Sequence, residues 1–178
     1  MKKLTSMLLA AMMMMISVIP ALAHEGMDHH AVTPTDTFTP AEDPAYPVGA
    51  EVILLADHMP GMAGAAARVS GAFDTVLYAI NYKSADTGEE VLWHRWVIHE
   101  EIQGSGDEPW KVGDQVILLP GHISGMGGEG ARAEIVEVMA GVAYMVDFTP
   151  TDGSEPIFNH QWVSEEELLP YELPADNG

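Results

Sequence analysis

The apolar residues from Tyr46 onward fall into short runs that are separated by glycine-containing turns. Residues 48–55 are rich in aliphatic and β-branched side chains, and a tight turn with glycine at both ends follows at 61–64. Further runs of this kind cover 67–73, 76–82 and 91–98, and the hairpin signals Asp86-Thr87-Gly88 and Asp152-Gly153 occur in the two halves of the chain. Short apolar runs between such turns predict an all-β fold.

Helical content is expected to be minimal. A single helical turn fits residues 99–102, and another fits residues 164–169. In the second of these, Ser164 and Glu167 have the spacing of a capping box, in which each residue satisfies a backbone N–H group at the start of a helix.

The chain from residue 45 onward contains an internal sequence repeat of two copies. Residues 46–55 recur as 110–119, and residues 78–82 recur as 144–148. His94-Arg95-Trp96-Val97 likewise recurs as His160-Gln161-Trp162-Val163, and Ala67-Arg68 recurs as Ala131-Arg132. The matches imply an internal duplication with a two-residue insertion between Arg132 and Tyr144.

The duplication sets the expected domain organisation. It predicts two tandem SH3-like barrels, at 45–103 and 109–171, that are joined by a seam rich in glycine and proline. A unit of about 60 residues is marginally stable alone, so the two copies are expected to pack together.

The N-terminal residues have the pattern of a secretory signal peptide. Lys2 and Lys3 precede an uncharged apolar run at 7–19, and Ala21-Leu22-Ala23 supplies the small residues of a cleavage site. We therefore expect residues 1–23 to be removed and the protein to be secreted, periplasmic or in the cell envelope. The apolar run is too short for a comfortable membrane span, so no stable membrane insertion is expected after cleavage.

Residues 24–44 have no periodicity and contain several prolines, which predicts a disordered tail or linker. Cleavage after Ala23 would make His24 the new N-terminus. Its amine and imidazole, with His29 and His30 close by, form a nitrogen set that Cu(II) favours. The alternative is a solvated polar segment without a bound ion.

Composition excludes several classes of function. The chain has 27 acidic against 7 basic residues, a formal charge of −20 and no cysteine. The acidic balance argues against nucleic acid as a partner, and the absence of cysteine excludes disulfides, thiolate metal sites and a cysteine nucleophile. No phosphate loop, nucleophile elbow or zinc-protease helix is present, so an enzyme is not expected. Glu100-Glu101 and 165–167 are interpreted as solvated acidic turns.

Two turns combine histidine with methionine. His58 and Met62 lie four residues apart, as do His122 and Met126 in the second copy. Imidazole with thioether is a ligand set that suits Cu(I), which makes a copper-type ion the candidate cofactor. The alternative is structural, with methionine filling a gap in the core and histidine capping the turn.

Two strands combine histidine with tryptophan. His94 and Trp96 alternate along one strand and so share a face, as do His160 and Trp162. Such pairs either line a pocket, with His94 or His160 as a metal ligand, or place a core tryptophan beside a hydrogen-bonded histidine.

Several segments are specific in combination: Val48-Gly49, Asp57-His58-Met59-x-Gly61-Met62, 78–82, 144–151 and Asn159-His160-x-Trp162-Val163-x-Glu165-x-Glu167-Leu168. Together they resemble the YdhK family (DUF1541) of bacterial secreted or lipid-anchored proteins. The resemblance implies a tandem pair of SH3-like barrels in an envelope protein, and it implies no established activity. Many relatives carry a lipid-attachment cysteine that this chain lacks, which favours release over anchoring.

The sequence thus predicts a non-enzymatic binding module outside the cytoplasm, with two alternatives for its partner. One is a copper-type metal ion held by the His/Met sites. The other is an envelope component, either peptide or wall polymer, bound by exposed aromatic side chains. The candidates for that second role are Trp93, Trp96, Trp110 and Trp162.

Overall fold

The computed structural model describes residues 35–84, 87–119 and 131–172. Within these ranges the chain forms seven strands: β1 (Glu51–Leu54), β2 (Ala66–Lys83), β3 (Glu90–Ile98), β4 (Gln115–Leu118), β5 (Ala131–Phe148), β6 (Ile157–Ser164) and β7 (Leu168–Pro170). The helices of the described part are two single 3₁₀ turns, His99–Glu101 and Glu165–Glu167. The predictions of an all-β fold, of both helical turns and of the Ser164–Glu167 capping box are confirmed. Neither turn has the length or apolar character of a membrane-spanning helix.

The two longest strands form the spine of the molecule. β2 and β5, each of 18 residues, pair antiparallel along their length. The pair Thr75↔Gly141 lies at the centre, and the pairs on its two sides mirror one another, as Ala67↔Phe148 and Tyr82↔Ala133 do at the ends. An approximate two-fold axis through the central pair therefore relates the two repeats.

All seven strands belong to one sheet. Its order is β4-β5-β2-β1-β7, with β3 paired to β2 and β6 paired to β5. β1 and the start of β2 meet the end of β5, β6 and β7 in a first lobe, whereas β4 and the start of β5 meet the end of β2 and β3 in a second lobe. Each lobe therefore draws strands from both copies, 45–103 and 109–171, and the SH3-like barrel form stays a prediction.

The cores of the lobes are built in the same interleaved way. In the first lobe, Val52 and Leu54 of the first copy pack with Tyr144 and Val146 of the second. In the second lobe the same exchange occurs, and the core contains Tyr78, Ile80, Val97, Val116 and Ile135. Because neither copy encloses its own apolar residues, hydrophobic burial couples the two copies in folding.

The pairing register relocates the two-residue insertion. Val52 of β1 pairs with Ala67, and Val116 of β4 pairs with Ala133, so Ala67 and Ala133 are equivalent. The sequence match of Ala67-Arg68 to Ala131-Arg132 is therefore wrong, and the insertion precedes β5. The physical reason is that a two-residue shift leaves the alternation of inward and outward side chains along a strand unchanged, so the sequence pattern does not locate the insertion and the pairing register does.

The prediction of a disordered tail at 24–44 is wrong for residues 35–44. Phe38 is buried and packs edge-on against Phe73 and Trp162, with ring centroids 5.5 and 5.7 Å apart. Pro40 forms an isolated bridge with Phe73. An aromatic ring in a core buries enough apolar surface to order the chain around it. Residues 1–34, with the predicted signal peptide and His24, His29 and His30, lie outside the described residues.

Truncating Phe38 tests whether this segment belongs to the folded unit. We expect Phe38→Ala to lower the free energy of unfolding by about 3 kcal/mol, because it removes a buried aromatic ring and leaves a cavity against Trp162. The exposed neighbour Thr37 provides the control, since Thr37→Ala removes no core contact. Urea unfolding measures both variants, and equal stability of the two would contradict the packing of Phe38.

Candidate functional site

The carboxylate of Glu167 is the centre of a hydrogen-bond network. The indole Nε1–H of Trp96 donates to Oε2 over 2.7 Å, and the backbone N–H and hydroxyl of Ser164 donate to the same oxygen over 2.8 and 2.9 Å. The other oxygen, Oε1, lies 3.0 Å from Nε2 of His58. The site therefore fixes an ionised carboxylate among four donors.

The opposite repeat builds a matching network around Glu101. Nε1–H of Trp162 donates to Oε2 of Glu101 over 3.0 Å, and the backbone N–H of Ile98 donates over the same distance. Each tryptophan thus bonds to the glutamate of the other repeat. The solvated interpretation of these acidic turns is wrong for Glu101 and Glu167, because they supply the acceptors that buried indole N–H groups require.

A cleft opens beside Glu167, between the turn that follows β1 and the strand β3. Its volume is about 360 Å³, and its lining residues are Asp57, His58, Trp93, His94, Arg95 and Glu167. It therefore combines two carboxylates, two imidazoles, one guanidinium and one indole from both repeats. Sequence reasoning missed Asp57, Arg95 and Glu167 as members of this site.

Gly61 fixes the turn that carries His58. Its φ of +75° lies in the left-handed region, and a Cβ atom there would stand 2.8 Å from Cβ of Pro150. The carbonyl of Gly61 accepts hydrogen bonds from the backbone N–H and the hydroxyl of Thr151, at 2.9 and 3.2 Å. The turn is thereby clamped onto the loop after β5.

Trp93 is the exposed aromatic residue of the cleft. Its side chain is 56% exposed, its φ is +55°, and its backbone N–H donates to Oδ1 of Asn81 over 2.9 Å. Its repeat equivalent is Asn159, with φ of +53° and a hydrogen bond to Asp147 of the same kind. Both copies therefore hold this position in a conformation that asparagine tolerates far better than tryptophan.

Arg95 lies between two indoles. Its Cζ atom is 4.9 Å from the ring centroid of Trp96 and 6.0 Å from that of Trp93. Nη2 also donates to Oε2 of Glu137 over 2.8 Å. These contacts position the guanidinium next to the exposed indole.

The four candidate tryptophans have different environments. Trp96 and Trp162 are core residues, so the structural alternative holds for these two. Trp110 is half-buried and donates its indole N–H to Ser105. Of the four, Trp93 alone presents most of its ring to solvent.

The predicted metal ligands are only partly brought together. His58 and His94 line the same cleft, and the ring of His160 lies 6.3 Å from that of His58. Met62, by contrast, is fully buried in the first core, as its structural alternative required. In the described ranges no three His, Asp or Glu side chains are arranged to hold a metal ion. His122 and Met126 lie outside those ranges.

The hydrogen bonds around Glu167 decide its protonation. Burial raises its pKa, but the donors His58, Ser164 and Trp96 outweigh burial and lower the pKa from 4.5 to about 2. Elsewhere, burial raises the pKa of the Tyr78 and Tyr144 hydroxyls. Glu167 is therefore a fixed anion across the neutral and mildly acidic range.

Comparison with known proteins identifies the family and a relative of this chain. The sequence profile of the family described as "Protein of unknown function (DUF1541)" matches residues 48–99 and 112–165. The uncharacterized protein YdhK of Bacillus subtilis is 44% identical over 146 residues, which cover 82% of this chain and 70% of that protein.

Two solved structures of the same relative also match. A crystal structure of the DUF1541 family protein YdhK from Bacillus subtilis has a TM-score of 0.76 at 43% identity, covering 83% of this chain and all of that one. A solution NMR structure of the YdhK C-terminal domain has a TM-score of 0.63 at 47% identity, covering 68% and 91%. The fold is thus shared with these structures.

Acid titration tests the network around Glu167. A folded-state pKa of about 2 against an ordinary value of 4.5 stabilises the fold above pH 4.5, by about 3 kcal/mol, and this contribution is lost as pH falls from about 4.5 to about 2. We expect Glu167→Gln to be less stable than the wild type at pH 7 and the difference to shrink on acidification. Denaturant unfolding across this pH range measures the difference.

The exposed neighbour Glu166 supplies the matched control for that titration. Glu166→Gln removes one carboxylate from the same turn without touching Trp96 or His58, so its stability should follow the wild type at every pH. A Glu167→Gln deficit that stays constant or grows toward acid would contradict the assignment.

Proposed function

This chain belongs to the DUF1541 family, and from that premise we propose that it is a non-enzymatic binding module that acts outside the cytoplasm. The proposed partner is a polysaccharide of the cell wall, which places a sugar ring against Trp93 in the cleft. The supporting observation is the exposed indole of Trp93, held in a left-handed backbone conformation.

Backbone strain favours a binding role for Trp93. A bulky residue at positive φ costs about 1–3 kcal/mol, and such positions persist where the surrounding structure imposes them. Burial does not offset this cost, because more than half of the side chain faces solvent. The fold itself accepts asparagine at the equivalent position, Asn159. A ligand that stacks on the indole accounts for tryptophan where the scaffold needs none.

The surrounding groups suit a sugar. The apolar face of a pyranose ring can stack on the indole, while Asp57 and His58 offer polar atoms to its hydroxyl groups. Arg95 is held in place by Glu137 and stacked between the indoles. A pocket with one aromatic platform and a few polar groups is typical of binding sites for small polar ligands.

The protonation of Glu167 favours binding over catalysis. Hydrolysis of a glycosidic bond needs a carboxylic acid that is protonated near neutral pH. Glu167 has its pKa lowered to about 2 and its oxygens occupied by donors, so it is unsuited to be that acid. This supports a module that holds a polymer without cleaving it.

Replacing Trp93 with the residue of the other repeat tests the proposal. We expect Trp93→Asn to weaken binding of soluble chitooligosaccharides or wall fragments by at least about tenfold, with stability unchanged or raised, because the stacking surface is lost and strain is relieved. Isothermal titration calorimetry and urea unfolding measure the two quantities. The control is Leu92→Asn, which removes an exposed apolar side chain outside the cleft. Equal binding by Trp93→Asn and wild type would refute the role of this cleft.

A copper-type ion is a second candidate partner. Its support is the shared cleft of His58 and His94, with Asp57 at its edge, since imidazole nitrogen is a good copper ligand. Calorimetry and native mass spectrometry with Cu(I) and Cu(II) separate the sites, using a His58→Ala/His94→Ala variant against a variant with His24, His29 and His30 replaced. Dissociation constants no tighter than millimolar would remove the proposal.

A further inference from the structure

A groove separate from the cleft lies on the first lobe, and we propose that it binds the free C-terminal carboxylate of a peptide whose last residue is apolar. The groove has a volume of about 490 Å³. Its charged lining residues are one cation, Arg68, and two carboxylates, Glu51 and Asp147, and its apolar part includes Pro156, Phe158 and Tyr171. We call it the Arg68 groove. The proposal does not depend on the function proposed for the cleft.

The repeat builds this groove twice. Glu51 of β1 pairs with Arg68, and Gln115 of β4 pairs with Glu134, so Arg68 and Glu134 are equivalent. Glu134 lines a groove of about 330 Å³ on the second lobe, where Leu92 stands in the place of Phe158. The backbone is therefore common to both grooves. The second groove also holds cations, Lys83 and Arg132, but the cation at this register position and the exposed ring of Phe158 belong to the Arg68 groove.

Arg68 is placed to receive an anion. In the described part of the chain the ion pairs are His58–Glu167 and Arg95–Glu137, so no carboxylate there lies within 4 Å of Arg68. Lys83, Lys111 and Arg132 likewise have no ion pair in the described ranges, so what distinguishes Arg68 is its place beside the exposed rings of Phe158 and Tyr171. A guanidinium with free donors binds a carboxylate through two parallel hydrogen bonds.

The two carboxylates next to Arg68 form no ion pair with it. Glu51 and Asp147 flank Arg68 across the two adjacent strands. Oδ1 of Asp147 accepts the backbone N–H of Asn159 over 2.7 Å, which commits that oxygen elsewhere. Arg68 itself lies against Gly49, where a Cβ atom would come within 3.4 Å of Nη2. The absence of a side chain at Gly49 thus leaves room for the guanidinium.

The apolar lining residues define the rest of the ligand. Phe158 is 59% exposed and Tyr171 is 38% exposed, and both line the groove with Arg68. The backbone N–H of Tyr171 donates to the carbonyl of Glu51 over 3.2 Å, which holds the backbone of Tyr171 beside β1. Exposed aromatic residues beside an arginine are the composition of binding hot spots. A carboxylate with an adjacent apolar side chain fits both features.

Titration with small carboxylates tests the proposal. N-acetyl-L-phenylalanine should bind the full chain saturably, with a dissociation constant of about 0.1–1 mM, and NMR shift changes should map to residues 51, 68, 158 and 171. Its N-methylamide removes the carboxylate, and N-acetylglycine removes the apolar side chain. Each should bind at least about tenfold more weakly. Equal binding of the amide would overturn the carboxylate site and indicate an internal apolar segment, and no saturable binding up to 10 mM, about tenfold above the expected range, would overturn the proposal.

The second repeat supplies the variants. Arg68→Glu installs the residue of the equivalent position, and Arg68→Gln keeps a polar side chain without charge. If one of the two fails to fold, the other still tests the proposal. Both should weaken binding at least about tenfold. Phe158→Leu, which copies Leu92, should weaken it about threefold, since a smaller apolar surface remains. Arg132→Gln in the other groove is the matched control and should change nothing. Undiminished binding by a folded Arg68 variant would refute the assignment.

Discussion

Two reciprocal hydrogen bonds set the constraint on which the architecture depends. Trp96 of the first copy donates to Glu167 of the second, and Trp162 of the second copy donates to Glu101 of the first. An indole N–H buried without an acceptor costs about 1–3 kcal/mol, and an unpaired buried carboxylate costs more. Neither copy supplies its own tryptophan with its own acceptor. The two copies must therefore interleave for either core to close with its polar groups satisfied.

The same constraint places the candidate site. Glu167 belongs to the second copy and bonds to two residues of the first copy, His58 and Trp96. It therefore holds the turn that contains His58 beside the strand β3, which contains Trp96. Trp93 and Arg95 precede that anchor on the same strand, so their position follows from it. The cleft is thus a product of the interleaving, and an isolated copy of the repeat would lack it.

The elements of this fold were readable from the sequence, but their assembly was not. Apolar runs and glycine turns predicted the strands, and the Ser164–Glu167 spacing predicted a real capping interaction. The same runs are equally compatible with strands that pair within a copy or between copies, since alternation reports which face is buried and not against what. Phe38 lay in a segment without periodicity, where a single buried ring leaves no pattern.

The site chemistry was predicted least well, and for identifiable reasons. Glu101 and Glu167 each sit beside other glutamates, which is the usual mark of a solvated turn. The available clue was the tryptophan on the preceding strand, whose N–H needs an acceptor once buried. The four-residue spacing of His58 and Met62 suggested joint ligation, yet a thioether packs as well as an alkyl chain, and Met62 lies in the core.

Comparison of the two copies separates structural positions from functional ones. His99 and Glu165 are equivalent and chemically different, yet each reaches the hydroxyl of the equivalent tyrosine, Tyr78 or Tyr144. The difference between His99 and Glu165 therefore still leaves each buried tyrosine with a hydrogen-bond partner for its hydroxyl. Trp93 and Arg68 differ from their equivalents, Asn159 and Glu134, at exposed surfaces, and the partner described for the Trp93 ring is Arg95, which lines the same cleft. A duplicated scaffold that keeps its buried contacts and varies its exposed positions presents two unlike surfaces on one backbone. On the binding proposals made above, these differences between the surfaces set ligand selectivity.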